Sequence, residues 1–128
     1  MNLLLDPHTF LWFIEGSSNL SNLAKHSIEN PNNTKFISIA SIWEISIKVS
    51  IGKLELAMSI TELLESQVYD NAIELLPIRS KHLDKLVELP FHHKDPFDRL
   101  IISQSLSERM PIISKDQLFD LYPVELFW

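Results

Sequence analysis

Five acidic residues occupy positions where carboxylates could act together on a metal ion. Each follows a short apolar run, belongs to an acidic pair or stands alone in an apolar segment, and they are Asp6, Glu44, Asp95, Asp98 and Asp116. If the fold brings them together, they form a set of hard oxygen ligands, and the chain has no cysteine to compete with them. Such a set favours Mg²⁺ or Mn²⁺ over zinc.

Four of these acids also have a purely structural interpretation. Asp6 and Asp95 each precede a proline, which is typical of a helix N-cap followed by proline at the first helical position. Asp98 would then lie in the first turn of that helix, where a carboxylate stabilises the positive helix end. Asp116 is placed to cap a turn. Capping by itself would account for these residues without any chemistry.

Glu44 is harder to explain by local structure. It interrupts an apolar segment that we interpret as a deeply buried helix, where an unpaired carboxylate is costly. Lys48 lies one helical turn later and is the obvious structural partner. The sequence leaves both interpretations open.

Length and composition favour one compact domain, residues 1–128. A chain of this length that is 45% hydrophobic can bury a sizeable core but is too short for two ordinary domains. The longest apolar run, at 10–14, is far below the roughly 20 residues that span a bilayer. Asp6 and Pro7 interrupt the apolar start before a signal peptide could form. We therefore expect a cytoplasmic protein without a membrane segment, and the absence of cysteine fits a reducing compartment.

The charge balance restricts the partners. The net charge of −6 argues against broad electrostatic capture of nucleic acid, because a basic face normally provides that attraction. A phosphate substrate would need metal ions and local lysine or arginine side chains to receive it.

Strands and helices alternate along the chain. The predicted strands are 2–5, 36–39, 73–76, 112–113 and 124–127. The predicted helices begin after Asp6, near Leu23, at 40, at Thr61, at a Ser80 cap and after Asp95, the last one reaching Arg109. Crossovers of this length favour parallel pairing, so we predict an α/β three-layer sandwich with a central, mostly parallel sheet of four or five strands flanked by helices.

Two further features allow more than one interpretation. His92 and His93 look like ligands, but adjacent histidines point in divergent directions, and we assign them to a solvated loop. The run 10–14 is more apolar than one core-facing stripe requires. Part of it, such as Trp12 or Phe13, therefore forms either a protein interface or plain core.

Four short motifs in order along the chain resemble the PIN-domain family, and within it the VapC-type ribonuclease toxins of bacterial toxin–antitoxin pairs. The motifs are Leu-Leu-Asp-Pro-His at 4–8, Ser-Ile-Trp-Glu-Ile at 41–45, Asp-Pro-Phe-Asp-Arg-Leu-Ile-Ile at 95–102 and Ile-Ser-Lys-Asp at 113–116. Together they cover nearly the whole chain.

This resemblance implies a PIN-like fold, cleavage of RNA that depends on Mg²⁺ or Mn²⁺, a small antitoxin as partner and a homodimer. By position, the catalytic and metal-binding acids would be Asp6, Glu44, Asp98 and Asp116. Asp95 would support them. Lys48, Arg99 and Lys115 are close enough in sequence to these acids to help hold the backbone phosphate. Pro7 departs from the family pattern, which often has a hydroxyl residue there.

Two other classes of protein remain as alternatives. A receiver-like signalling domain also gathers acids and Mg²⁺ at strand ends, and Lys115 would suit it, but the strands at 36–39 and 73–76 do not end in a phospho-accepting Asp. The second alternative is a non-catalytic protein-binding α/β domain whose acids are only helix caps.

Overall fold

The computed structural model describes all 128 residues and contains one five-stranded sheet. The strands are β1 (Asn2–Leu5), β2 (Thr34–Ser38), β3 (Ile73–Leu76), β4 (Ile112–Ile113) and β5 (Leu126–Phe127). Their order across the sheet is β3-β2-β1-β4-β5, and every pairing is parallel. The predicted α/β architecture is confirmed, with all five strands present.

Six α-helices connect and cover the strands. They are α1 (Pro7–Glu15), α2 (Asn22–Glu29), α3 (Ile39–Ser50), α4 (Ile60–Leu63), α5 (Ser80–Glu88) and α6 (Pro96–Glu108). Helix α4 continues into a π-helical segment over Leu64–Tyr69, and a 3₁₀ helix covers Gln117–Leu121. None of these helices combines the length and the apolar character needed to cross a membrane.

The central strand β1 shows why the molecule has three layers. Side chains of a strand alternate between the two faces of the sheet. Leu3 and Leu5 join one core with Phe10 of α1, whereas Leu4 joins a second core with Ile101 of α6. Helices α1 to α4 contribute to the first core, and α5 and α6 pack on the second. Burial on both faces explains the uninterrupted run of leucine.

Helix starts follow capping chemistry, with one difference from the prediction. Asp6 and Asp95 cap α1 and α6 as expected. The predicted cap at Ser80 is wrong, because Ser80 is already helical and Arg79 is the residue that precedes α5. The Arg79 amide donates to Nδ1 of the buried His82 at 2.9 Å. A histidine at the third helical position thus accepts from the amide of the cap residue, which is the role that Glu or Gln has in a capping box.

The strand order excludes the receiver-like alternative. Domains of that type have the order 2-1-3-4-5. Here β1 is central, with β2 on one side and β4 on the other. The two classes therefore differ in topology.

Strand order reverses beside β1, and this reversal positions the candidate site. The chain leaves β1 for β2 on one side and later returns to β4 on the other, where Leu5 pairs with Ile113. Ligands of open parallel sheets gather beyond the carboxyl ends of the strands at such a reversal. Asp6 and Ser114, the first residues beyond β1 and β4, therefore lie side by side at the crevice.

Candidate active site

Asp6 has more contacts than a helix cap requires. Its Oδ1 accepts a hydrogen bond from the His8 amide at 3.0 Å, and its Oδ2 accepts one from the Ser114 hydroxyl. The residue is only 6% exposed. Its Oδ1 also lies 3.8 Å from Nδ1 of His8, and this neighbouring carboxylate raises the pKa of the imidazole. Capping is therefore confirmed, but a second, long-range hydrogen bond also fixes the carboxylate.

Ser114 connects two of the predicted acids, although the sequence interpretation did not single it out. Its buried hydroxyl donates to Asp6 and accepts a hydrogen bond from the Asp116 amide at 3.0 Å. Asp116 itself caps the 3₁₀ helix by accepting from the Leu118 amide at 2.9 Å. The position of Ser114 directly after β4 is the one sequence signal that could have identified it.

Glu44 is paired at one oxygen only. The Lys48 ammonium lies 3.3 Å from Oε2, so the predicted pairing along α3 is present. The other oxygen, Oε1, is buried and has no hydrogen-bond partner. Leaving a buried carboxylate oxygen without a partner costs free energy. The helix therefore leaves half of this carboxylate available to a cation.

Asp98 shows that the acids affect one another electrostatically. Burial is the largest cause that raises its pKa to about 7, and the charges of Asp95, Asp6, Glu44 and Asp116 add to the effect. Asp95 also caps α6 by accepting from the amides of Phe97 and Asp98 at 2.9 and 3.0 Å. Carboxylates from four separate segments of the chain therefore disfavour an ionised Asp98.

The donor set fits a divalent cation without forming a finished coordination shell. No three acidic or histidine side chains stand close enough together to make one. A cation would have to draw the carboxylates inward. It would also relieve their repulsion and give the unpaired oxygen of Glu44 a partner.

A cavity of about 270 Å³ opens beside two of the acids. Its lining consists of Asp6, Asp116, His8, Trp12 and Lys115. The Lys115 ammonium lies 5.9 Å from the centroid of a Trp12 ring. Of the three basic residues predicted to contact phosphate, Lys115 is therefore the one that shares a cavity with predicted ligands, while Lys48 is paired with Glu44.

Arg99 does not have the role that its sequence position suggested. It is 5% exposed, and its guanidinium donates to the carbonyls of Pro90 at 2.9 Å and Leu89 at 3.3 Å. The guanidinium also lies 3.9 Å from the centroid of the Phe91 ring. Because these contacts occupy the side chain inside the protein, Arg99 anchors the loop before α6 and is not available to bind phosphate.

His93 lies in a loop as predicted, but the prediction that it is solvated is wrong. Its side chain is 12% exposed, and its Nε2 lies 3.6 Å from Oδ2 of Asp98. Its Nδ1 lies 3.0 Å from the Tyr122 hydroxyl. His92, by contrast, is exposed, as expected. The partner at 122 is 29 positions away, so no local pattern could have predicted this burial.

The apolar first helix divides between core and surface. Phe10 and Leu11 are buried, and the partly buried Phe13 packs against the same core. Trp12 is partly exposed, and its ring centroid lies 5.8 Å from that of Trp128. A second exposed aromatic, Trp43 next to Glu44, is 59% exposed. Phe13 and Ile14 are also partly exposed but pack against the core, so Trp12 is the member of this run that faces the acidic cavity.

Comparison with known proteins gives a family and a fold. The model of the PIN domain matches residues 3–124. No individual curated protein matches the chain significantly.

Several solved structures share the fold at low sequence identity. The chain superposes on VapBC2 from Rickettsia felis bound to a promoter DNA fragment with a TM-score of 0.71 and 18% identity, covering 99% of this chain and 98% of that one. A toxin–antitoxin complex from Klebsiella pneumoniae gives 0.66 and 15%, with coverage of 98% and 96%. FitAcB from Neisseria gonorrhoeae gives 0.68 and 13%, also covering 98% and 96%.

Proposed function

The chain belongs to the PIN-domain family, and from that premise we propose that it is a divalent-metal-dependent endoribonuclease and the toxin of a toxin–antitoxin pair. We take residues 1–128 as its single catalytic domain. The observations that carry the proposal are the buried, unpartnered Oε1 of Glu44 and the cavity that Asp6 and Asp116 share, and the charges of the other acids add to burial in raising the pKa of Asp98. Helix capping does not require the acids to approach one another, whereas metal binding does.

We assign Asp6, Glu44, Asp98 and Asp116 as the residues that hold Mg²⁺ or Mn²⁺, with Asp95 in support. A bound divalent ion would supply the chemistry that the side chains do not offer, by activating water and neutralising charge that builds up on the phosphate. The protein's own part is to hold the carboxylates. Ser114 fixes Asp6, Asp95 caps the turn that carries Asp98, and α3 presents the unpaired oxygen of Glu44.

Substrate RNA would be received locally rather than by the whole surface. With a net charge of −6, the protein repels a polyanion at long range. Lys115 lies in the cavity beside Asp6 and Asp116 and is the side chain best placed to contact a backbone phosphate. Lys48 would become available only if a cation replaced it as the partner of Glu44. Because the substrate is cellular RNA, the protein would act in the cytoplasm.

The partner in this proposal is a small antitoxin. Support comes from a solved structure that shares this fold, a toxin–antitoxin complex from Klebsiella pneumoniae, and from Trp12, which is partly exposed at the acidic cavity. A segment with apolar side chains and an Arg or Lys would suit both features, since its cation could lie among the carboxylates in competition with metal.

We also propose a homodimer. Leu83 and Val87 on α5 and Phe91 just beyond it are exposed by 46%, 85% and 79%, and together they offer an apolar surface. Sedimentation of the wild type and of Val87→Glu tests the idea. A dimer that dissociates in the variant is expected, whereas a wild-type monomer at micromolar concentration would contradict it.

One alternative keeps a specific observation in its favour. Asp6, Asp95 and Asp116 all accept amide hydrogen bonds as caps, which is what a non-catalytic binding domain would show. A capping role alone leaves Glu44 with an unpaired buried oxygen. It also does not explain why the charges of four other acids add to the raised pKa of Asp98. Metal dependence separates the two functions.

The deciding experiment measures cleavage of an RNA pool with Mg²⁺, with Mn²⁺ and with excess chelator. Glu44→Gln and Asp98→Asn should each abolish cleavage while leaving the circular dichroism spectrum unchanged. Glu88→Gln, which alters an exposed acid at the end of α5, is the matched control and should cleave normally. Cleavage that persists in chelator would overturn the proposal.

A further inference from the structure

The loop before α6 contains a buried imidazole nitrogen that the proposed mechanism does not use. Nε2 of His93 is buried, has no hydrogen-bond partner and lies 3.6 Å from Oδ2 of Asp98. The tautomer decides what this nitrogen can do. A hydrogen on Nε2 would be donated towards the carboxylate, whereas a lone pair there would make His93 a candidate metal ligand.

The Tyr122 hydroxyl determines the tautomer. It is buried and has two polar neighbours, His93 Nδ1 at 3.0 Å and Arg99 Nη1 at 3.4 Å. A guanidinium only donates hydrogen bonds, so the hydroxyl oxygen accepts from Arg99. Nδ1 of His93 is then the polar neighbour that can accept the hydroxyl hydrogen, since Arg99 cannot accept it and a hydrogen on Nδ1 would leave the buried hydroxyl hydrogen without an acceptor. The neutral imidazole therefore carries its hydrogen on Nε2, facing Asp98.

Arg99, at the other end of this series of hydrogen bonds, is held by two backbone carbonyls. Arg99 donates to the carbonyls of Leu89 and Pro90. The hydrogen bonds from Arg99 through Tyr122 to His93 therefore have one direction, set by a group that cannot reverse it.

We propose that His93 is a positioning residue for the metal site: its Nε2–H faces Oδ2 of Asp98 at 3.6 Å and, once a cation draws the carboxylate inward, donates a hydrogen bond that orients it. The inference rests on the proposed function, because Asp98 is a metal ligand only there. A hydrogen bond to a metal ligand from a residue that does not itself bind the metal fixes the orientation of that ligand. Removing such a hydrogen bond typically lowers metal affinity about 10- to 100-fold. His93 itself does not bind the metal.

Calorimetric titration of the protein with Mn²⁺ tests the proposal. His93→Leu should weaken binding about 10- to 100-fold. His93→Gln should restore affinity to within a few-fold of wild type, since its amide nitrogen can replace Nε2–H as donor. His92→Leu is the matched control. His92 packs edge-on against Tyr122 with ring centroids 4.9 Å apart, but it is exposed and makes no contact with Asp98.

The tautomer provides a readout that needs neither metal nor substrate. Long-range ¹H–¹⁵N spectra of the imidazoles, recorded where the ring is neutral, should show the His93 hydrogen on Nε2. Tyr122→Phe removes the donor to Nδ1, so the same spectrum should then show a mixture of tautomers. This variant keeps the Arg99 contacts with Leu89 and Pro90.

The outcomes separate the two proposals. If the wild type binds Mn²⁺ and the His93→Leu and His92→Leu variants bind it with equal affinity, His93 does not position the site. The nuclease proposal would remain intact. A hydrogen found on Nδ1, or a His93→Gln variant as weak as His93→Leu, would also overturn the role of His93. Absence of divalent-metal binding by the wild type would overturn both proposals. Should His93→Leu fail to fold, His93→Gln and the tautomer spectrum still decide.

Discussion

The Ser114 hydroxyl donates a hydrogen bond to Oδ2 of Asp6, joining residues 108 positions apart at the carboxyl ends of neighbouring strands. The same serine oxygen accepts the amide of Asp116. The resemblance described above leads one to expect a hydroxyl residue at position 7, which is Pro7, and here Ser114 provides the hydroxyl contact to Asp6. The departure at Pro7 therefore does not leave Asp6 without a polar partner.

Replacing Ser114 by alanine should lower the free energy of unfolding by about 1–3 kcal/mol, because Asp6 and the Asp116 amide would both lose a buried partner. Chemical denaturation monitored by circular dichroism measures this loss. Ser18→Ala, at an exposed position, is the control and should change stability by less than about 0.5 kcal/mol. A Ser114→Ala variant as stable as the control would show that this hydrogen bond is unimportant.

The contribution of Asp98 to the stability of the metal-free protein should fall as the pH rises from about 4 to 7. The pKa of Asp98 is near 4 in the unfolded chain and about 7 in the folded one, so the folded state binds the extra proton in this range. The favourable contribution is complete below pH 4 and is lost as the pH passes 7. Asp98→Asn should flatten this slope in thermal melts in chelator. Parallel slopes for the two proteins would contradict the prediction.

Asp6→Asn distinguishes a cap from a metal ligand without any substrate. Asparagine caps a helix about as well as aspartate, so a residue that only caps should tolerate the change within a few tenths of a kcal/mol in any buffer. If Asp6 repels Asp98, the variant should melt higher than wild type in EDTA at low salt.

Mg²⁺ should reverse that order. A metal at ten times its dissociation constant stabilises a competent site by about 1.4 kcal/mol, and the variant should lose most of this gain. Four melting curves, two proteins in two buffers, complete the measurement. Curves that coincide in both buffers would mean that Asp6 neither repels the other acids nor binds metal.

Trp12→Ala should weaken antitoxin binding by more than it destabilises the isolated protein, because Trp12 lines the acidic cavity and is partly exposed. Phe13→Ala should instead act mainly on stability, since Phe13 packs against the core. Titration calorimetry and thermal melts on the same proteins give both quantities. Leu23→Ala, at an exposed apolar position on α2, is the control. If Trp12→Ala loses as much stability as binding free energy, Trp12 acts as a core residue and not as an interface residue.

The sequence by itself determined the elements and the identities of the acids. Continuous apolar strands, the Asp-Pro helix starts at 6 and 95, and crossovers that require parallel pairing are local or nearly local signals. They predicted β1, β3 and β4 with the correct bounds and placed Asp6 and Asp116 beyond neighbouring strands.

The contacts that define the site's chemistry were decided only by the tertiary structure. Burial of His93 depends on Tyr122, 29 positions later, and the hydrogen bond of Asp6 depends on Ser114. Arg99 lies next to Asp98 in sequence, yet packing turns its guanidinium towards the carbonyls of Leu89 and Pro90. Periodicity and capping report which face a residue occupies. Which distant polar group satisfies a buried donor or acceptor depends on how the layers pack, and no local pattern contains that information.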